Sequence, residues 1–158
     1  MYSASIIANA FVEKAIEFGK PITQMQLQKM VFFAQGYHLA KYDEQLIQED
    51  FQAWKFGPVL PKLYDIYKLT GSYPITDTFN KLWNPFEVPV TLDEKALDAI
   101  DYTWKATSHL SALQLSNWTH LQGSPWERTY KPYDMGVSID NDLIKSYFKT
   151  FLSDDSAA

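Results

Sequence analysis

The chain has 158 residues, enough for one domain to bury a core without covalent staples, and it contains no cysteine. Disulfides, thiolate metal sites and a cysteine nucleophile are therefore excluded. A net charge of −5 with a single arginine, Arg128, argues against nucleic acid as a partner, because phosphate contacts need clustered Lys and Arg.

Hydrophobic residues at 46% and charged residues at 21% suit a soluble globular protein, while aromatics at 16% are in excess and point to a ring-rich core or an interface. The start, Met1-Tyr2-Ser3-Ala4-Ser5, lacks a basic segment followed by an apolar run. No apolar stretch approaches the roughly 18 residues of a membrane helix. The expected location is cytoplasmic, with no membrane partner.

Along the chain, Ser3 to Phe18 repeats Ile7, Phe11, Ala15 and Phe18 at helical spacing and stops at Gly19 and Pro21. Thr23 and Gln26 form a capping box with Ile22 and Leu27 as its staple, opening a helix that runs to about Tyr42. Leu27, Met30, Val31, Ala34 and His38 share one face, yet Phe32, Phe33 and Leu39 cover others, which predicts a central helix. Gly36 inside it marks a close helix crossing. Phe51 to Phe56 alternates as a strand closed by Gly57-Pro58. Val59 to Leu69 follows as a helix, with Pro61 near its start and Gly71 past its end.

From Ser72 to Val90 prolines replace periodicity; Tyr73-Pro74-Ile75-Thr76 is a candidate edge strand, and the rest is a loop suited to variation or partner contact. Thr91 with Glu94 reads as a second capping box ahead of Leu97, Ile100 and Trp104, and Ser111 with Gln114 as a third, with Leu110 and Leu115 as staple. Ser124-Pro125-Trp126-Glu127 starts a short helix, and Asp140 caps a last one bearing Leu143, Ile144, Tyr147, Phe148 and Phe151. The fold expected is mainly α: a compact single-domain bundle of about six or seven helices with a small two- or three-stranded β element. The domain spans 1–152, and 153–158 form a flexible tail whose two final alanines loosely resemble a degradation tag.

Catalytic patterns are sparse. The histidines, His38, His109 and His120, make no HExxH or i,i+4 ligand pair, so no metal is expected; His38 fits a hydrogen-bonded core position. His120 lies near Ser116 and Ser124, a conceivable base and nucleophile, but Ser124 suits a helix cap and no GxSxG elbow is present. Adjacent acids such as Asp93-Glu94 fit helix starts and solvated loops. Glycine-rich phosphate loops are absent, and no cofactor is expected.

The stretch Leu27-Gln28-Lys29-Met30-Val31-Phe32-Phe33-Ala34-Gln35-Gly36-Tyr37-His38-Leu39-Ala40 resembles the Panacea domain of SocA/GepA-like antitoxins. The likeness continues through Ala53-Trp54-Lys55-Phe56-Gly57-Pro58-Val59 and Leu63-Tyr64, then Leu113 to Trp118 and Gly123-Ser124-Pro125-Trp126, in the family's order. It implies a bacterial, phage or mobile-element antitoxin that is not an enzyme. Its partner would be a protein toxin, encoded by a neighbouring gene and neutralised by direct binding; small alarmone synthetases are among such toxins. A SocA-like member would alternatively be an adaptor delivering a toxin to a Clp-type protease, and an unrecognised hydrolase or transferase is the third reading. The residues the resemblance marks for partner binding or as motif are Gln28, Lys29, Tyr37, Trp54, Lys55, Phe56, Gly57, Pro58, Val59, Tyr64, Trp118, Pro125 and Trp126. Two roles stay open for the Trp54 to Val59 motif: locking strand to helix, or touching the toxin.

Overall fold

The computed structural model describes residues 1–78 and 90–157, with side chains as far as 153. The later part of the proline-rich stretch, 79–89, lies outside the described residues. In chain order the elements are α1 (Ala4–Glu17), α2 (Gln24–Tyr42), β1 (Gln52–Trp54), β2 (Gly57–Val59), α3 (Pro61–Tyr67) running into a 3-10 turn (Lys68–Thr70), α4 (Glu94–Thr107), α5 (Ala112–Thr119), α6 (Pro125–Thr129) and α7 (Asn141–Ala157). The mainly helical class with a small sheet is as the sequence predicts.

Helix starts follow local chemistry. Thr23 and Gln26 close a reciprocal box, the Thr23 N–H donating to Gln26 Oε1 at 2.8 Å and the Gln26 N–H to Thr23 Oγ1 at 3.4 Å. Ser111 and Gln114 do the same for α5. The box expected from Thr91 does not form. Asp93 is the cap of α4, its Oδ1 accepting the Ala96 N–H at 2.8 Å, and Glu94 falls in the first turn, where its charge suits the helix dipole. Leu97 lies off the buried stripe of Ala96, Ala99, Ile100, Thr103 and Trp104 and is 46% exposed. At the far end, α7 is helical to Ala157, with no Gly or Pro to stop it.

The β element needs two corrections. Gly57-Pro58 does not close a strand but begins the returning one: Gln52 pairs with Val59, Ala53 with Pro58 and Trp54 with Gly57, leaving Lys55-Phe56 as a two-residue turn. Tyr73 to Thr76 forms no strand either; Ile75 is buried and donates its N–H to the Ile22 carbonyl at 2.8 Å. The stretch lying beside β1 is instead 137–139, through Ala53 N–H to Val137 O at 2.9 Å and Ile139 N–H to Phe51 O at 2.7 Å.

Helix α2 occupies the centre, with α1, α3, α4, α5, α7 and β2 around it, and every residue from Leu27 to Leu39 is buried. Phe32 meets Phe51 edge to face at 5.1 Å, and Phe33 packs on Trp118 at 4.9 Å and on Phe148 at 5.6 Å. Gly36 is the crossing point: the Phe148 ring of α7 lies where a Cβ would project. Gly36→Ala gains about 1 kcal/mol of helix propensity but forces that ring out of place, an overpacking cost of roughly 1–3 kcal/mol. The expected result is a lower urea midpoint at unchanged slope; an unchanged or higher midpoint contradicts the close approach.

Candidate functional site

The polar residues that α2 buries organise everything beside it. Backbone groups removed from water must find partners, and two glutamines about two turns apart supply them. Gln28 clamps one residue of the β2–α3 junction, its Nε2 donating to Leu60 O at 3.1 Å and its Oε1 accepting the Leu60 N–H at 2.9 Å. Gln35 accepts the N–H groups of Leu46 and Ile47 at 2.9 and 3.1 Å and donates to Asn141 Oδ1 at 3.3 Å.

The hairpin beyond Gln28 is held from behind through its own carbonyls. Trp126 Nε1 donates to Trp54 O at 2.6 Å, His120 Nε2 faces Lys55 O at 3.3 Å, Ser116 Oγ donates to Phe56 O at 3.2 Å, and Lys29 Nζ lies 3.5 Å from Pro58 O. Gly57 takes φ +121°, a conformation that suits glycine, and a Cβ there would sit 2.8 Å from Lys29 Nζ. These contacts anchor the backbone of the turn and leave its side chains accessible. Phe56 is 60% exposed, Lys55 Nζ stands 5.5 Å from its ring centre, and Trp54 meets Tyr64 edge to face at 5.1 Å.

Between this turn, the start of α2 and α3 lies an open cleft of about 650 Å³, lined by Thr23, Gln24, Met25, Gln28, Lys29, Trp54, Lys55, Phe56, Val59, Tyr64, Gly71, Ser72, Ala112 and Met135. The structure thus brings together Gln28, Lys29, Trp54, Lys55, Phe56, Val59 and Tyr64 from the sequence candidates. Gly57 and Pro58 belong to the hairpin frame, and Trp126, buried beside Pro125, buttresses it. Tyr37 and Trp118 lie elsewhere. Tyr37 stacks on Tyr102 at 4.4 Å and donates to Asp98 at 2.9 Å, and Trp118 packs between Phe33 and Phe151. Burial pushes the Asp98 carboxyl up, but hydrogen bonds from Lys41, Tyr42 and Tyr37 outweigh it and hold the group below the usual carboxylate range.

Met25 and Met135 are absent from the sequence candidates, whereas Ser72 opens the stretch expected to vary or contact a partner. Met25 is one turn ahead of Gln28 and Lys29, a legible signal; Met135 arrives only through the tertiary pairing of 137–139 with β1.

His120 and Ser124 are both engaged structurally. The ring of His120 turns Nδ1 to the Ser116 carbonyl and packs 3.8 Å from Trp126, while Ser124 Oγ donates to Thr119 O at 2.8 Å and accepts the Glu127 N–H at 3.2 Å as the α6 cap. His38 Nδ1 faces the Glu44 carbonyl at 2.6 Å inside the core. Among the described residues no group of three or more His, Asp or Glu could hold a metal ion, and no helix is long and apolar enough to cross a membrane.

Gln28, Lys29 and the anchored hairpin thus border one apolar cleft. The family model of the SocA-like antitoxins, Panacea domain, matches residues 27–127, and the chain belongs to that family. It is 31% identical over 154 residues to antitoxin SocA of Caulobacter vibrioides (strain NA1000 / CB15N), covering 92% of this chain and 82% of the relative. Among solved structures none matches.

Lys29 is the unusual member of the site. It is 2% exposed, and burial alone lowers its ammonium from 10.5 to about 8. That difference corresponds to roughly 3 kcal/mol of stability withheld from the folded chain. Below pH 8 the group is charged in both folded and unfolded chains and the whole penalty is present. Between about 8 and 10.5 the folded chain loses the proton first, so stability rises with pH and the penalty fades. Lys29→Met should therefore raise the denaturation free energy at pH 7, with the gap to the native chain narrowing as pH passes from 8 to 10.5. A gap independent of pH contradicts a buried, uncompensated ammonium.

Proposed function

We propose that the chain neutralises a protein toxin by binding it directly, with the hairpin cleft as the contact face and without catalysis of its own. The observation that carries this is the concentration of exposed apolar surface around one rigid opening: Phe56, Tyr64, Met25 and Met135, all partly or largely exposed, border the same cleft. Aromatic anchors set in a polar rim supply much of the affinity of protein interfaces, and the carbonyl anchoring of the turn holds Trp54 and Phe56 in place before binding, which lowers the entropy cost of association. Membership of an antitoxin family and likeness to antitoxin SocA support the same reading. Gln28, Gly57, Pro58 and Trp126 serve as the frame, and Trp54, Lys55, Phe56, Val59 and Tyr64 as the contact surface.

Co-expression with the toxin encoded by the neighbouring gene tests this. The native chain should restore growth and co-purify with the toxin. Phe56→Asp with Tyr64→Asp should lose both while keeping the native circular-dichroism spectrum, because charges placed on a desolvated contact cost several kcal/mol. Full rescue by that folded double variant contradicts the cleft as the contact face.

A further inference from the structure

We infer that the toxin segment seated in the cleft carries an acidic side chain whose carboxylate pairs with Lys29, the apolar walls gripping the residues on either side of it. This rests on the reading of the cleft as the toxin-binding face and names the chemistry it recognises.

The charge distribution is the first ground. In a chain of net charge −5, the cleft lining contains two lysines, Lys29 and Lys55, and no aspartate or glutamate among the described residues. The second is the state of Lys29 itself. An ammonium has three N–H donors; the contact made here is one carbonyl, Pro58 O, at 3.5 Å, long for a hydrogen bond. Elsewhere on the molecule several exposed or half-buried lysines do have carboxylates, among them Lys14 with Asp101 at 2.6 Å, Lys41 with Asp98 at 2.8 Å, Lys62 with Glu49 at 3.2 Å and Lys95 with Glu44 at 2.9 Å. Those pairs are at the surface, where a partner is worth little. Lys29, the most buried lysine, has no counter-charge among the described residues, and burial without a counter-charge is costly.

The third ground is shape. A cleft of about 650 Å³ walled by Trp54, Phe56, Tyr64, Met25 and Met135 is too large and too apolar for a small inorganic anion alone. A peptide segment with one carboxylate fills both requirements: apolar side chains against the rings, and a single negative charge for a single buried positive one. Lys55 at the rim adds attraction on approach. A lysine that destabilises the free scaffold thus becomes a determinant of partner choice, since a neutral or basic segment would leave the ammonium buried and unpaired.

The test uses the purified full chain and the toxin encoded beside it. Dissociation constants are measured by calorimetry for the native chain, Lys29→Met and Lys29→Gln, with Lys105→Met, on the outside of α4, as a control. Thermal melts confirm folding, and Lys29→Met should melt at a higher temperature than the native chain. Both Lys29 variants should bind about thirtyfold or more weakly, while the control is unchanged. In a scan of toxin variants with single Asp→Asn or Glu→Gln changes, one should lose the same factor against the native chain and nothing further against Lys29→Met. Tight binding with folded Lys29 variants within twofold of the native chain overturns the inference and leaves neutralisation by binding standing. Absence of any toxin binding by the native chain overturns both.

Discussion

Burial of polar side chains along α2 is the constraint on which the rest depends. A helix enclosed on every side has no water to satisfy the loops packed against it, so its own side chains must do so. Gln28 and Gln35 each close two backbone contacts, at Leu60 and at Leu46 and Ile47. An apolar residue at either position would leave buried N–H or C=O groups without partners, at about 1–3 kcal/mol each. These amides join a central helix to a hairpin and a crossing loop that otherwise have little regular structure of their own. The family-like run from Leu27 to Gln35 is thereby a set of joints as much as a hydrophobic stripe.

Because Gln28 fixes the entry to α3, the hairpin before it has one place to go. Trp126, Ser116 and His120 then take carbonyls on its inner side. Two short helices, α5 and α6, with the residue that ends α5, thereby brace three residues, Trp54 to Phe56. The two roles left open for the motif are compatible: its backbone locks the scaffold, and its side chains line the cleft.

Much of this was legible in the sequence, wherever the signal is local. Capping boxes at Thr23 and Ser111, Pro61 and Pro125 at helix starts, and the all-round apolar α2 are properties of a few neighbouring residues, and they appear as expected. Gly36 was readable as a crossing, though only the fold names Phe148 as its partner. The misses share a cause. Thr91 has the Glu three residues on that the box needs and Asp93 does not, yet the helix starts two residues later than that pattern implies, at Glu94, with Asp93 Oδ1 taking the Ala96 N–H. Tyr73 to Thr76 has strand composition, but the position beside β1 goes to 137–139, a pairing across more than eighty residues that no local pattern encodes. The same long-range pairing delivers Met135 to the cleft. The chemistry of Lys29 was hidden for a related reason: its position in the motif is visible, but its burial beneath Gly57, with no carboxylate neighbour among the described residues, is a fact of tertiary structure.

The claim that this braced hairpin is where a toxin is held can be examined residue by residue with amide hydrogen exchange, comparing the free chain with the complex formed on co-expression. Slowing should concentrate on residues 54–59, on 64 and on the first turn of α2, leaving the outer face of α4 around Lys105 at its free rate. Protection confined to α4 and α7, with the hairpin exchanging as in the free chain, would place the contact on the opposite side and contradict the claim.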